Sequence, residues 1–115
     1  MQMMIGDTPV AVAWEDNAAV EALKALAEEG LTVEMSMYGG FEQVGPIGHS
    51  LPREDRQTVT QAGDIVLYSG DQLVVFYGSN SWAYTPLGRI VDPAPDALAA
   101  LLGSGDVTVT LGGED

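Results

Sequence analysis

Along most of the chain, apolar and polar residues alternate in short runs broken by glycine and proline, which is the spacing of strands rather than helices. The strongest run spans 63–78. Ile65-Val66-Leu67-Tyr68 and Leu73-Val74-Val75-Phe76 flank Gly70-Asp71, predicting a hairpin around a two-residue turn, because glycine accepts a positive φ at no steric cost. In that register Leu67 faces Val74 and Ile65 faces Phe76 on one side, while Tyr68 faces Leu73 and Val66 faces Val75 on the other. The first set is wholly apolar. At roughly 1.5 to 3 kcal/mol per buried side chain of this kind it is expected to line the interior. The second face is also apolar and ends in tyrosines, so it needs a helix or a ligand cleft against it rather than water.

The rest of the chain follows the same logic. Segments 2–5 and 9–14 read as a hairpin turning at Gly6-Asp7, with Pro9 confined to a strand start or an edge because it has no N–H to donate. From Asp16 the period lengthens. Val20, Leu23, Leu26 and Ala27 share one helical face, Asp16 or Asn17 can cap the first turn, and Gly30 suits the C-terminal cap. Segment 31–38 alternates again, with Leu31, Val33, Met35 and Met37 on its apolar face. From 39 to 62 the pattern dissolves into a glycine-rich stretch, and loops of that length are either functional or conceal a short strand. Short strands are expected at 82–84 and 87–91. A helix begins at Asp92-Pro93-Ala94-Pro95, buries Leu98, Leu101 and Leu102, and ends at Gly103. A last strand covers 106–111, and 112–115 should fray. About seven or eight short strands with two helices are too β-rich for a βαβ sheet. A mainly β fold, a small closed or nearly closed barrel with two capping helices, removes most edges and accommodates the two-sided hairpin.

Composition changes the picture of the surface more than of the core. The 115 residues suffice for one domain, taken as 1–115. Four basic residues, Lys24, Arg53, Arg56 and Arg89, stand against 17 acidic ones, giving a net charge of −13. Such a surface repels phosphate backbones, so nucleic acid and anionic membranes are not expected partners, and a basic peptide or a cation is favoured electrostatically. No apolar stretch approaches the ~20 residues of a membrane helix. The N-terminus shows no signal-peptide pattern, which makes the cytoplasm the default compartment while leaving a released mature domain open. Cysteine is absent, which excludes disulfides and thiolate chemistry. A monomer is expected.

Candidate chemistry is sparse. His49, the only histidine, has Ser50 beside it but no nucleophile elbow, and loop packing is the simpler reading. No spacing suggests a metal site or a cofactor cradle, and none is expected. Met35 and Met37 read as core filling rather than soft-metal ligands. The aromatic residues are more informative: Tyr77, Trp82 and Tyr84 lie close in sequence near Arg89, and Tyr38 and Phe41 open the long loop that carries Arg53. Aromatic rings beside a guanidinium suit an extended peptide or a small planar ligand. The alternative is that Trp82 plugs one end of the fold and Arg89 pairs with an acid.

Three segments carry a family resemblance: Tyr38-Gly39-Gly40-Phe41-Glu42 with Ser50-Leu51-Pro52; Ala62-Gly63-Asp64-Ile65-Val66-Leu67-Tyr68; and Phe76-Tyr77-Gly78-Ser79-Asn80-Ser81-Trp82-Ala83-Tyr84 with Leu87-Gly88-Arg89-Ile90. Together they resemble the small bacterial cyclophilin-like domain family, whose members mostly lack an assigned function. The resemblance implies a cyclophilin-type barrel with helices at its ends. Cyclophilins proper are peptidyl-prolyl isomerases that place an arginine beside the proline pocket. Gln61-Ala62-Gly63-Asp64 is similar to a cyclophilin Gln-Gly-Gly-Asp segment, but no arginine occupies the matching upstream position, so no catalytic residue is carried over. The expected function is a binding domain for a peptide or small ligand, in a cleft between the long loop and the aromatic turn, with Tyr38, Phe41, Arg53, Tyr77, Trp82, Tyr84 and Arg89 as candidate contacts. A weak prolyl isomerase using Arg53 or Arg56 is the enzymatic alternative, and an accessory role in a larger assembly is a third.

Overall fold

The alternating runs meet in a single antiparallel sheet of ten strands, seen in a computed structural model that describes residues 1–113. In chain order the elements are β1 (Gln2–Ile5), β2 (Thr8–Trp14), α1 (Ala18–Ala27), β3 (Leu31–Glu34), β4 (Ser36–Tyr38), β5 (Glu42–Pro46), β6 (Arg56–Val59), β7 (Asp64–Tyr68), β8 (Gln72–Phe76), β9 (Ser81–Asp92), α2 (Pro95–Leu102) and β10 (Thr108–Gly112). The strands lie in the order β3-β10-β1-β2-β9-β7-β8-β5-β4, with β6 added to one end of the long β9. Of the terminal segment expected to fray, Gly112 pairs with Gln2, and residues 114 and 115 lie outside the described residues. Neither described helix is long and apolar enough to cross a membrane.

The mainly β fold with two helices is as expected, but the barrel, expected closed or nearly closed, is not closed. The sheet ends at β3 and β4, which share no ladder. They are consecutive segments separated only by Met35, and antiparallel partners need at least a two-residue turn between them. The first half of this stretch pairs with β10 and the second with β5, so one sheet curls until its two ends are successive pieces of the same chain. Met35 sends its N–H to the Val107 carbonyl (2.9 Å) and is buried, whereas Met37 donates its N–H to the Asp106 carboxylate (3.0 Å) and is partly exposed. The apolar face read for this strand therefore stops short of Met37.

The β7–β8 hairpin exists, with a register one residue away from the expected one. Tyr68 pairs with Gln72, Leu67 with Leu73, Val66 with Val74 and Ile65 with Val75. The loop holds three residues, and Ser69 (φ 57) joins Gly70 (φ 78) in the left-handed region. A one-residue slip exchanges the faces of the slipped strand. Ile65, Leu67, Leu73 and Val75 now enter the main core, while Val66, Val74 and Phe76 form a second cluster with Tyr84. All four residues expected inside are buried, but on two faces rather than one.

Two strands were hidden in segment 39–62, and β5 became an inner strand between β8 and β4. The segments 82–84 and 87–91 fuse into one strand that runs through Pro86, which sits where the pairing of β7 with β9 shifts register, a position that tolerates a missing N–H. Asn17 caps α1 by accepting the Val20 N–H (2.9 Å) and ties the helix to β9 by donating to the Pro86 carbonyl (2.9 Å). Val20, Leu23 and Ala27 of α1 and Leu98 and Leu102 of α2 complete the main core.

Candidate functional site

The second face of the hairpin is not covered by a helix. It opens into a cleft of about 760 Å³ lined by Tyr38, Gly39, Phe41, Glu42, Val44, Tyr68, Asn80, Trp82 and Tyr84. The rings form a connected series: Tyr38 meets Phe41 edge-on at 6.1 Å, Phe41 stacks on Phe76 at 6.3 Å, and Phe76 meets Tyr84 at 5.6 Å. Tyr84 in turn meets Tyr68 edge-on at 6.1 Å. Phe76 is buried behind the wall, whereas Tyr38 and Trp82 stand at the rim with 63% and 56% of their surface exposed. Trp82 therefore plugs no core.

Phe41 owes its position to two glycines. A Cβ on Gly39 (φ +67) would lie 2.2 Å from the Phe41 ring, and one on Gly78 would lie 2.9 Å from the Phe41 Cβ. The Phe41 carbonyl accepts the N–H groups of both Tyr77 and Gly78 at 2.9 Å, which fixes the long loop to the segment after β8. On the far side, Asn80 is held by the buried Thr60, whose N–H and hydroxyl both donate to the Asn80 carbonyl (2.9 and 3.0 Å). Asn80 Nδ2 donates to the Tyr84 hydroxyl at 2.8 Å. Burial pushes the Tyr84 phenol up, and the charges of Glu42 and Tyr68 add to this, while the Asn80 bond opposes it.

Among the described residues, Glu42 is the one acidic group lining the cleft. It opens β5 opposite Phe76, is 7% exposed, and no side-chain hydrogen bond or ion pair reaches it among the described residues. Burial alone pushes its carboxyl up to about 7. The adjacent Gln43 faces the opposite way and is wholly buried, where its Nε2 donates to the carbonyls of Leu102 and Gly105 at 2.7 Å each. These bonds tie β5 to the end of α2 and set which face Glu42 must take.

Of the residues singled out from the sequence, Tyr38, Phe41, Trp82 and Tyr84 line this one cleft. Tyr77, Arg53 and Arg89 lie elsewhere. Tyr77 points to the main core, its ring 3.5 Å from where a Cβ on Gly103 would sit, and its buried hydroxyl has no partner among the described residues. Arg53 forks onto the Asp55 carboxylate, and its aliphatic stem covers Gly70. Hydrogen bonds from Arg53 and Thr85 hold the Asp55 carboxyl below its usual range, and together these contacts brace the loop against the hairpin turn. Arg89 bonds Asp64, its cross-strand partner, at 2.8 Å and lines a smaller, more polar groove of about 480 Å³ with Arg56 and Glu15. Among the described residues no guanidinium lines the aromatic cleft.

Sequence reasoning missed Glu42, Val44, Tyr68 and Asn80. The tyrosine at the end of the second hairpin face was a usable signal for Tyr68. For the other three there was none, since a carboxylate, a lone valine and an asparagine in irregular sequence carry no period.

In comparison with known proteins, no curated protein and no solved structure matches the chain. A family model does match, over residues 3–112, which takes in every strand and both helices apart from Gln2, the first residue of β1. On that match the chain belongs to the cyclophilin-like family.

Proposed function

We propose that this cyclophilin-like domain is a binding module whose aromatic cleft receives a peptide segment or a small ligand. The observation that carries this reading is the exposure of Tyr38 and Trp82 at the mouth of a cleft otherwise walled by Phe41, Tyr68 and Tyr84. Rings packed only for stability would be buried. Here two of the largest side chains remain in water on either side of an open volume that falls within the 300–1,000 Å³ usual for ligand sites. The scaffold supports precision: both walls are fixed by backbone bonds, at Phe41 and at Asn80.

Titration of the isotope-labelled protein with short peptides and planar heterocycles is expected to concentrate amide shifts at Tyr38, Phe41, Tyr68 and Trp82. Trp82→Ala should weaken any binder so found by about tenfold, as removal of a ring contact at an interface does. Shifts gathered in the groove of Glu15, Arg56 and Arg89, or affinity unchanged by Trp82→Ala, would remove the cleft as the binding site.

A further inference from the structure

We propose that the cleft selects an organic cation, an ammonium or guanidinium group carried beside an apolar body, with Glu42 as its counter-charge. This rests on the reading of the cleft as a binding site and names the ligand chemistry.

The argument starts from the unmet requirement of Glu42. Glu42 is 7% exposed as a residue, and a carboxylate so largely withdrawn from water is normally paired or hydrogen-bonded within the protein. Among the described residues nothing meets that need. Three of the four basic side chains are paired elsewhere, Lys24 with Glu21, Arg53 with Asp55 and Arg89 with Asp64, and Arg56 lines the other groove. A ligand cation would supply the missing partner. Tyr38, Phe41, Tyr68, Trp82 and Tyr84 line the same cleft, and aromatic rings attract cations through their quadrupoles. An anion would meet the Glu42 charge, and the net charge of −13 raises the local concentration of cations rather than anions. A neutral ligand would leave the carboxylate as it is.

The same arrangement makes binding depend on pH. Because burial already pushes Glu42 up to about 7, a cation must displace a proton from it below that value. The other titratable groups that line the cleft with Glu42 are the phenols of Tyr38 from β4, Tyr68 from β7 and Tyr84 from β9. Affinity should therefore rise about tenfold from pH 6 to pH 8 and then level off.

The test is a titration of the whole chain, followed by amide shifts, with benzylammonium, its neutral counterpart benzyl alcohol, the anion benzoate and the blocked peptide acetyl-Ala-Arg-Ala-amide. Benzylammonium or the peptide should bind about tenfold more tightly than benzyl alcohol at pH 8 and shift Trp82 and Tyr38; which of the two binds better separates a free amine from a basic side chain as the source. Glu42→Gln, with an otherwise unchanged amide spectrum, should abolish both the preference and its pH dependence. Benzyl alcohol or benzoate binding in the cleft as well as the cations do, or a preference that survives Glu42→Gln, overturns the cation assignment and leaves the cleft as a binding site. Failure of all four probes to shift any residue of the cleft overturns both.

Discussion

Burial beside Phe76 in the sheet sets the behaviour of Glu42 whatever the ligand proves to be. Its carboxyl is pushed from 4.5 to about 7 in the folded chain, so between these values the folded state holds a proton that the unfolded state has lost. Stability attributable to this group is therefore greatest at low pH, declines as pH rises from 4.5 to 7, and is flat above. A difference of about 2.5 in pKa corresponds to about 3 kcal/mol. Glu42→Gln removes the titration. The stability of the variant minus that of the parent, from urea unfolding, should grow by about 3 kcal/mol between pH 4 and pH 8; a constant difference would show that Glu42 is well solvated. Nothing in the order Phe41-Glu42-Gln43 announces this. A glutamate in a glycine-rich stretch reads as a surface group, and it becomes buried only when β5 lies beside β8 and brings it opposite Phe76.

At the scale of elements, β5 shows why a strand can escape a periodicity search. Its residues Glu42, Gln43, Val44, Gly45 and Pro46 include one large apolar side chain, yet three of the five are buried. Each departure has a physical cause. Glu42 faces the cleft, Gln43 satisfies two carbonyls near the end of α2, and Gly45 lets the strand approach the junction of β3 and β4. A Cβ at Gly45 would lie 2.4 Å from the Glu34 carbonyl oxygen and 2.9 Å from both Met35 Sδ and Val33 Cγ1. Gly45→Ala should cost about 1 to 3 kcal/mol, the range for overpacking a core, whereas Gly112→Ala in β10, which meets open space, should change stability by a few tenths. Equal denaturation midpoints for the two variants would contradict the close approach. The hairpin of β7 and β8 was legible as an element because its two runs are adjacent and strongly apolar. Its register was not, since whether Ser69 belongs to β7 or to the turn shifts every partner by one, and both alternatives bury apolar side chains.

For the whole molecule, charge imbalance is the dominant feature outside the core. Seventeen acidic residues repel one another across a small body, and the three described ion pairs, Lys24–Glu21, Arg53–Asp55 and Arg89–Asp64, have exposed basic partners, so each contributes little. Added sodium chloride should accordingly raise the thermal midpoint, because shortening the screening length from about 10 Å at 0.1 M to about 3 Å at 1 M relieves repulsion more than it weakens these pairs. A midpoint that falls with salt would mean that the pairs outweigh the repulsion. Strand-rich character, the two helices, a first-turn cap at Asp16 or Asn17 and the stock of aromatic residues were determined by the sequence alone, because periodicity, capping and turn chemistry depend on residues a few positions apart. The tertiary structure decided the rest: an open curled sheet in place of a closed barrel, the register of β8, and the gathering of Tyr38, Phe41, Trp82 and Tyr84 around Glu42 while the arginines turn away. Apart from the β8 register, which is settled within its own hairpin, these outcomes depend on which apolar faces meet between strands far apart in sequence, and that choice is made by packing and hydrogen-bond satisfaction in the assembled sheet rather than by any local pattern.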